Sequence, residues 1–298
     1  MGTYKVRPKK HLGQHFLKDK RIAEAIVESL QAKECDAVVE VGPGMGVLTH
    51  LLAERKLPSF RVVEIDRESV EYLQMNLGGS TEIIEADFLS LDLRPLGERM
   101  AVIGNFPYNI SSQIFFKILE NRDRVTEVVG MVQKEVAERI CSGPGSRVYG
   151  ILSVLLGAWF DIEYLFTVSE HVFSPPPKVK SAVIRLSRNH VQKLDCDEKL
   201  FFTVVKRCFN QRRKMLRNPL KDLVIPDSRD MWLLSKRAEQ LSVEQFVELT
   251  NWVSARLRQP SEQPAVKPEG HNKEQEQERR KDHSADQWPD LPAGNQNE

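Results

Sequence analysis

Ala37-Val38-Val39-Glu40-Val41-Gly42-Pro43-Gly44-Met45-Gly46-Val47-Leu48 runs from an apolar stretch through three closely spaced glycines into a second apolar pattern. The first five residues suit a strand of a parallel sheet, buried on both faces. Val47, Leu48, Leu51 and Leu52 then recur at helical spacing. The glycines therefore carry the backbone from a strand end into a helix N-terminus, where a ligand can approach the main chain closely. Their spacing is G-x-G-x-G, with Val47 following Gly46, and differs from the G-x-G-x-x-G/A fingerprint of dinucleotide-binding folds. That argues against a nicotinamide dinucleotide.

Working outward, Phe60 to Asp66 predicts the next strand, which ends in two carboxylates about twenty residues beyond the glycines, where an acid accepts hydrogen bonds from ribose hydroxyls. Glu64 is the choice over Asp66, against the plainer reading of a strand-end charge facing water. Thr81 to Ala86 predicts a third strand and delivers Asp87 to the same edge, where it can accept from the adenine amino group of a nucleoside cofactor. A fourth, Ala101 to Gly104, ends at Asn105-Phe106-Pro107-Tyr108. Alone, that tetrad also reads as an ordinary Asn/Pro turn.

Placed beside a nucleoside-cofactor edge, the tetrad suits an amino-group acceptor. The amino nitrogen of adenine is a poor nucleophile because its lone pair is delocalised into the ring. Acceptors for its two N–H groups favour the tetrahedral geometry that frees the pair. The Asn105 side-chain oxygen is one candidate, and the Phe106 carbonyl, kept extended by the following proline, is another. Asparagine is not a base, so the reading is positioning and electrostatic stabilisation of an in-line methyl transfer from a sulfonium, with no general base assigned. Tyr108 is expected to stack on the target base for ~1–3 kcal/mol, offsetting part of the cost of unstacking it. Phe173, opening Phe173-Ser174-Pro175-Pro176-Pro177-Lys178 after a strand from Ile162 to Val168, is expected as a second aromatic face.

Five segments in order resemble the small-subunit ribosomal RNA adenine dimethyltransferases, the KsgA/RsmA family: Leu12 to Leu17, Glu40 to Gly44, Asn105 to Ser111, Phe173 to Val183, and Phe209 to Lys214. The resemblance spans about Pro8 to Arg258. It implies S-adenosyl-L-methionine as methyl donor and two adjacent adenosines in the 3′-terminal hairpin loop of small-subunit rRNA as acceptors, each dimethylated on N6. It further implies that His15, Leu17, Gly42, Glu64, Asp87 and Asn105 hold the donor, with Asn105, Tyr108 and Phe173 around the acceptor adenine. The family usually reads G-Q-N-F-L where this chain has His15 in place of the asparagine, and commonly leucine where Phe106 stands.

The expected fold is α/β: a doubly wound, Rossmann-like methyltransferase sheet with an antiparallel final strand, Ser181 to Ser187, and a small C-terminal helical domain. The domains read as 1–188, with a basic N-terminal arm (Lys5, Arg7, Lys9, Lys10) expected to order over donor and RNA; 189–258, helical and RNA-binding; and 259–298, a tail. The chain's formal charge of +1 conceals a division, because the tail carries nine acidic and five basic residues, leaving +5 on the rest. Its Glu, Gln, Pro, Lys and Asn content reads as disorder.

Four cysteines without C-x-x-C spacing, no signal peptide and no apolar run longer than Tyr149 to Phe160 point to a cytoplasmic protein with free thiols and no membrane partner. His11 and His15, four apart without a third ligand, give no metal site. A monomer is the default expectation.

Leu200 to Asn218 reads as one amphipathic helix, with Phe201, Val204, Val205, Cys208, Phe209, Met215 and Leu216 on one face. Lys206, Arg207, Arg213, Lys214 and Arg217 lie opposite, and Arg212 falls on the apolar side. Seven cations and no acid lie between Lys206 and Lys221, which suits a phosphate backbone better than a merely solvated face.

Three functions follow: a small-subunit rRNA dimethyltransferase that also serves assembly of the immature 30S particle, a related large-subunit drug-resistance methylase, and a noncatalytic assembly factor. The stretch Gln211 to Asn218 resembles the small-subunit enzymes. If the five cations each neutralise one phosphate, log affinity for RNA falls against log salt with a slope of roughly −4. Replacing all five flattens the slope in a binding titration across salt; an unchanged slope places the RNA elsewhere.

Overall fold

The computed structural model describes residues 6–77, 79, 81–223 and 231–257. Lys5 of the basic arm, Arg258 and the acidic tail lie outside the described residues. The strands are β1 (Phe16–Leu17), β2 (Ala37–Val41), β3 (Phe60–Glu64), β4 (Glu82–Glu85), β5 (Met100–Asn105), β6 (Val125–Gln133), β7 (Phe160–Val168), β8 (Phe173–Ser174) and β9 (Ser181–Arg188). The α-helices are α1 (Lys20–Ser29), α2 (Val47–Glu54), α3 (Arg67–Leu77), α4 (Ser111–Glu120), α5 (Lys134–Ile140), α6 (Ile151–Gly157), α7 (Glu198–Asn210) and α8 (Val243–Leu257).

Seven strands form one sheet in the order β4-β3-β2-β5-β6-β9-β7. Strands β2 to β6 run parallel, and β9 is antiparallel to both neighbours, β6 and β7. The doubly wound sheet with an antiparallel last strand is thus as expected. β6 is absent from the sequence reading, although Val125-Thr126-Glu127-Val128-Val129-Gly130-Met131-Val132 is an apolar, β-branched run of the kind that signals a buried strand.

The two-residue strand period sorts the core onto two faces. Val38, Ala101, Ile103, Val129 and Met131 pack with Ile26 and Val27 of α1 and Leu48 and Leu52 of α2. Their neighbours Val39, Val102, Val128 and Val132 point the other way, into a core that includes residues of α4 to α8. Because α7 and α8 join that core, residues on either side of the 188/189 boundary share apolar packing: Trp159 stacks on Phe202 and meets Phe201 edge-on.

Residues 200–218 differ from the single helix expected. α7 ends at Asn210, and the chain continues in turns to 223. Phe201, Val204, Val205, Cys208 and Phe209 form the buried face, while Met215 is exposed and Leu216 is buried from a turn. Arg212 explains the break. Its guanidinium donates to the Ser146 carbonyl at 3.3 Å and to that of Arg147, with Glu239 3.8 Å away, so its side chain ties the 142–149 loop rather than extending a helix.

Packing also constrains the tetrad from below. The Phe106 ring is fully buried, its N–H donates to the Met131 carbonyl at 3.0 Å, and it meets Phe115 edge-on. A Cβ added at Gly130 would lie 2.6 Å from that ring. Gly130→Ala is therefore expected to destabilise the fold by ~1–3 kcal/mol, since the buried ring or its backbone must shift to admit the methyl group. A lowered urea midpoint with unchanged slope is the expected readout, and an unchanged midpoint would show that the ring yields freely.

Candidate active site

Three adjacent strands, β5, β2 and β3, end beside one another, and the loops that follow them, with the β4 loop and the N-terminal segment, enclose one cavity. It is lined by residues 12–17, 40–45, 47, 48, 63–65, 86–89 and 105–110. Of the residues read from sequence, His15, Leu17, Gly42, Glu64, Asp87, Asn105 and Tyr108 all line it.

The glycine turn forms as its chemistry requires. Gly42, Gly44 and Gly46 have φ of 68°, 56° and 79°, left-handed values that side chains disfavour. At Gly44 space is also limiting, because an added Cβ would lie 2.9 Å from the Phe16 ring. Glu64 fixes the turn: its Oε2 accepts from Gly44 N at 3.0 Å and its Oε1 from Asp66 N at 2.9 Å. Burial pushes the Glu64 carboxyl above the ordinary glutamate value, and the two backbone donors offset part of that rise.

Glu40, the charge amid the valines of β2, is fully buried. Desolvation pushes it up to about 8, the Thr49 hydroxyl offsetting part of the rise and the nearby Glu64 adding to it, so it is largely protonated at neutral pH. Its Oε2 has no hydrogen-bond partner among the described residues. A buried polar atom in that condition on a cavity wall leaves a valence for a ligand to fill.

Asp66, the carboxylate passed over, is occupied elsewhere. It is 2 % exposed. It accepts from Lys9 Nζ at 2.5 Å and from Gln14 Nε2 at 3.0 Å, while Lys9 N donates to Gln14 Oε1 at 2.8 Å. Burial alone would raise Asp66, but the hydrogen bonds from Lys9 and Gln14 and the lysine charge outweigh it and hold the pKa below the ordinary aspartate value. This clasp fastens residues 9–14 as a wall of the cavity. Sequence reading missed it, because nothing in the local pattern pairs a mobile-looking basic arm with a carboxylate 57 residues on.

On the other wall, Asn105 Nδ2 donates to the His15 carbonyl at 2.9 Å. That bond settles the amide orientation, leaving Oδ1 free to accept. The Phe106 carbonyl accepts no hydrogen bond among the described residues. The Tyr108 hydroxyl is hydrogen-bonded to Ser181 Oγ, and burial raises its pKa.

Phe173 is buried apart from the cavity lining. Its ring is 1 % exposed and packs in the core with Leu17 and Val168, and its main chain pairs with Leu17 in the β1–β8 ladder. It does not line the cavity. The ring facing Tyr108 is instead His15, with centroids 5.2 Å apart and planes tilted by 31°.

The basic residues lie outside the cavity. Lys206 and Arg207 are half-buried on α7, with Lys206 Nζ 5.2 Å from the Phe116 ring centre, and Arg213, Lys214 and Arg217 are exposed on the turns that follow. Among the described residues there is no cluster of three or more His, Cys, Asp or Glu able to hold a metal, and no helix is long and apolar enough to cross a membrane.

The comparisons with known proteins agree with this geometry. A family model described as ribosomal RNA adenine dimethylase matches residues 6–255. The ribosomal RNA small subunit methyltransferase A of Parabacteroides distasonis is 59% identical over 249 residues, covering 82% of this chain and 93% of that protein. The protein of the same name from Flavobacterium johnsoniae is 57% identical over 255 residues, covering 84% and 97%. Among solved structures, a dimethyladenosine transferase from Plasmodium falciparum shares the fold with a TM-score of 0.70 at 23% identity, over 81% of this chain and 98% of that one. The 23S rRNA methyltransferase ErmE matches with a TM-score of 0.60 at 28% identity, over 82% and 100%. Over residues 6–255, N-terminal segment, sheet and last helix alike, the chain belongs to the ribosomal RNA adenine dimethylase family.

Proposed function

We propose that this chain transfers methyl groups from S-adenosylmethionine to N6 of two adjacent adenosines in the 3′-terminal hairpin loop of small-subunit rRNA, giving N6,N6-dimethyladenosines within an immature 30S particle in the cytoplasm. The observation that carries this reading is the convergence of the Glu64-pinned glycine turn and Asn105-Phe106-Pro107-Tyr108 on one cavity. Relatives named for the small subunit, at 59% and 57% identity, favour that acceptor over the large-subunit one of ErmE, at 28%. An intact cavity with both acceptor oxygens available argues against a noncatalytic factor.

The residues fit the donor. A carboxylate offers about four acceptor directions, and Glu64 has used two on backbone N–H groups, which leaves two for ribose hydroxyls. Asp87 Oδ1 accepts from Leu89 N at 2.9 Å, leaving Oδ2 for the adenine amino group of the donor. The α2 N-terminus and Gly42 approach without side chains, and Glu40 Oε2 supplies the unfilled polar valence. The bound donor supplies a sulfonium methyl group.

Asn105 Oδ1 and the Phe106 carbonyl then accept from the two N–H groups of the target amine, directing its lone pair toward the donor side of the cavity. Tyr108, held by Ser181, presents its ring to the target base. Rate enhancement arises from orientation and from fixed dipoles that need no reorganisation during transfer. Lys206, Arg207, Arg213, Lys214 and Arg217 are proposed to hold the phosphate backbone, and the chain to act as a monomer.

Purified protein incubated with labelled S-adenosylmethionine and under-methylated small subunits is expected to dimethylate two adjacent adenosines, as mapped on the rRNA. Asn105→Ala is expected to lower turnover by about 100-fold or more, on the scale of losing one fixed transition-state hydrogen bond. Tight, donor-dependent subunit binding without transfer would instead support an assembly factor.

Donor binding also carries a pH signature. The ionised Glu64 accepts from the ribose, and its raised pKa means that it takes up a proton at a higher pH than an exposed glutamate, for which the value is about 4.3. Donor affinity, measured calorimetrically between about pH 7 and 5, is therefore expected to weaken as the pH falls. Glu64→Gln should bind weakly throughout with that dependence removed, and a variant that kept the wild-type dependence would assign the titration to another group.

A further inference from the structure

Beyond α7, two turns present an indole among cations. Leu216 N donates to the Lys236 carbonyl at 2.8 Å and Arg217 N to that of Leu234 at 3.2 Å, so the turn after α7 and the short 3-10 turn Trp232–Ser235 lie side by side. Trp232 is 51 % exposed in the second turn, and Met215 is 40 % exposed in the first. Apart from Leu257 at the end of α8, they are the only exposed large apolar residues among the described residues that follow β9. Lys236 Nζ stands 5.3 Å from the Trp232 ring centre, a cation–π contact that orients the ring, and the Arg217 guanidinium donates to the Met215 sulfur at 3.0 Å. Of the cations on the two turns, Arg212 alone reaches a carboxylate among the described residues, that of Glu239 at 3.8 Å. None of these residues lines the cavity that carries the tetrad.

We propose that Trp232 is a stacking platform for an unpaired base of small-subunit rRNA, at a point separate from the cavity that takes the target adenosine. The proposal rests on the rRNA methyltransferase reading and adds a base contact where the surrounding cations alone would supply only phosphate contacts. A duplex shows its phosphates to a protein and keeps its bases stacked on one another, so cations suffice for it and an open indole gains nothing there. A single strand shows both, and every base has a π-face for the ring to meet. The charge pattern agrees with that occupant. Lys214, Arg217 and Lys236 stand beside the ring to hold the phosphates flanking a stacked base, and no acidic residue lies between Lys206 and Lys221. A protein partner fits less well. A stable protein–protein contact needs about 800 Å² a side with an apolar centre, and one indole with one thioether among cations does not provide it. The main-chain bonds between the two turns leave the ring little to order when a base arrives.

The test is the affinity of the full chain for under-methylated small subunits, titrated across salt, with single-turnover methyl transfer at saturating subunits as the second readout. Trp232→Ala is expected to weaken binding by roughly 5- to 150-fold, the usual cost of one lost base stack. The salt slope should not change, because no charge is removed. Trp232→Phe, which keeps an aromatic face, is expected to stay within about threefold of the unaltered protein. Transfer at saturation should be unchanged in both variants, since the ring lies outside the cavity, and so should the urea midpoints, since half of the residue is exposed. A Trp232→Ala protein with unaltered affinity, or a Trp232→Phe protein as weak as Trp232→Ala, overturns the stacking contact while leaving the methyltransferase reading intact. A dimer of the unaltered chain that Trp232→Ala converts to monomer overturns it in favour of a second copy on this face. Unaltered protein that shows the expected binding pattern but transfers no methyl group overturns the methyltransferase reading and bears out the contact.

Discussion

The buried carboxylate of Glu64 is the interaction on which the site depends. It joins two backbone turns that would otherwise be independent, the glycine turn after β2 and the turn into α3 after β3, by accepting one N–H from each. A neutral side chain of the same size offers one acceptor oxygen and cannot span both in this way. The desolvation cost is visible in the raised pKa, and the backbone donors repay part of it. Two lone-pair directions remain for a ligand, so the group that shapes the turn is also the one proposed to read the ribose. Structure and binding are therefore not separable at this residue.

The second dependence runs through the N-terminal segment. Lys9 and Gln14 bind Asp66 at the β3 edge, and a few residues on the His15 carbonyl receives the Asn105 amide. The same stretch thus fastens to the β3 edge and sets the direction of the Asn105 oxygen. An Asn105 amide without that carbonyl is free to rotate and to present its NH2 to the target amine, donor facing donor. The placement of the segment and the orientation of the Asn105 amide are therefore coupled.

Much of this was legible because it is local. Four parallel strands, the turn, Glu64, Asp87 and the tetrad each follow from a short stretch whose residues have few other uses. What was not legible depends on distance. Glu64 is separable from Asp66 by position alone, but the meeting of Asp66 with Lys9 and Gln14 is not legible that way. Phe173 is as aromatic in the core as in a cavity, and its burial beside Leu17 and Val168 is not a property that its own segment announces. The cations after Asn210 keep helical spacing in the sequence, yet Arg212 finds carbonyls in the 142–149 loop and the helix stops. β6 is different, since its valines were an adequate signal that the reading passed over.

The antiparallel strand has a function that the parallel ones cannot supply. In a parallel sheet, carboxyl ends alone reach the ligand edge, and each strand contributes the loop that follows it. β9 runs the other way, so its first residue arrives there: Ser181 pairs with Gln133, the last residue of β6, and with Val168, the last of β7. From that position its hydroxyl holds Tyr108. The chain entering β9 from the edge also carries β8, which pairs with β1, and Pro175, whose carbonyl meets His15. Reversing one strand therefore places the 173–181 segment beside the tetrad, supporting Tyr108 through Ser181 and His15 through Pro175. A sheet with all strands parallel would deliver the donor half of this site and leave the acceptor half without that support.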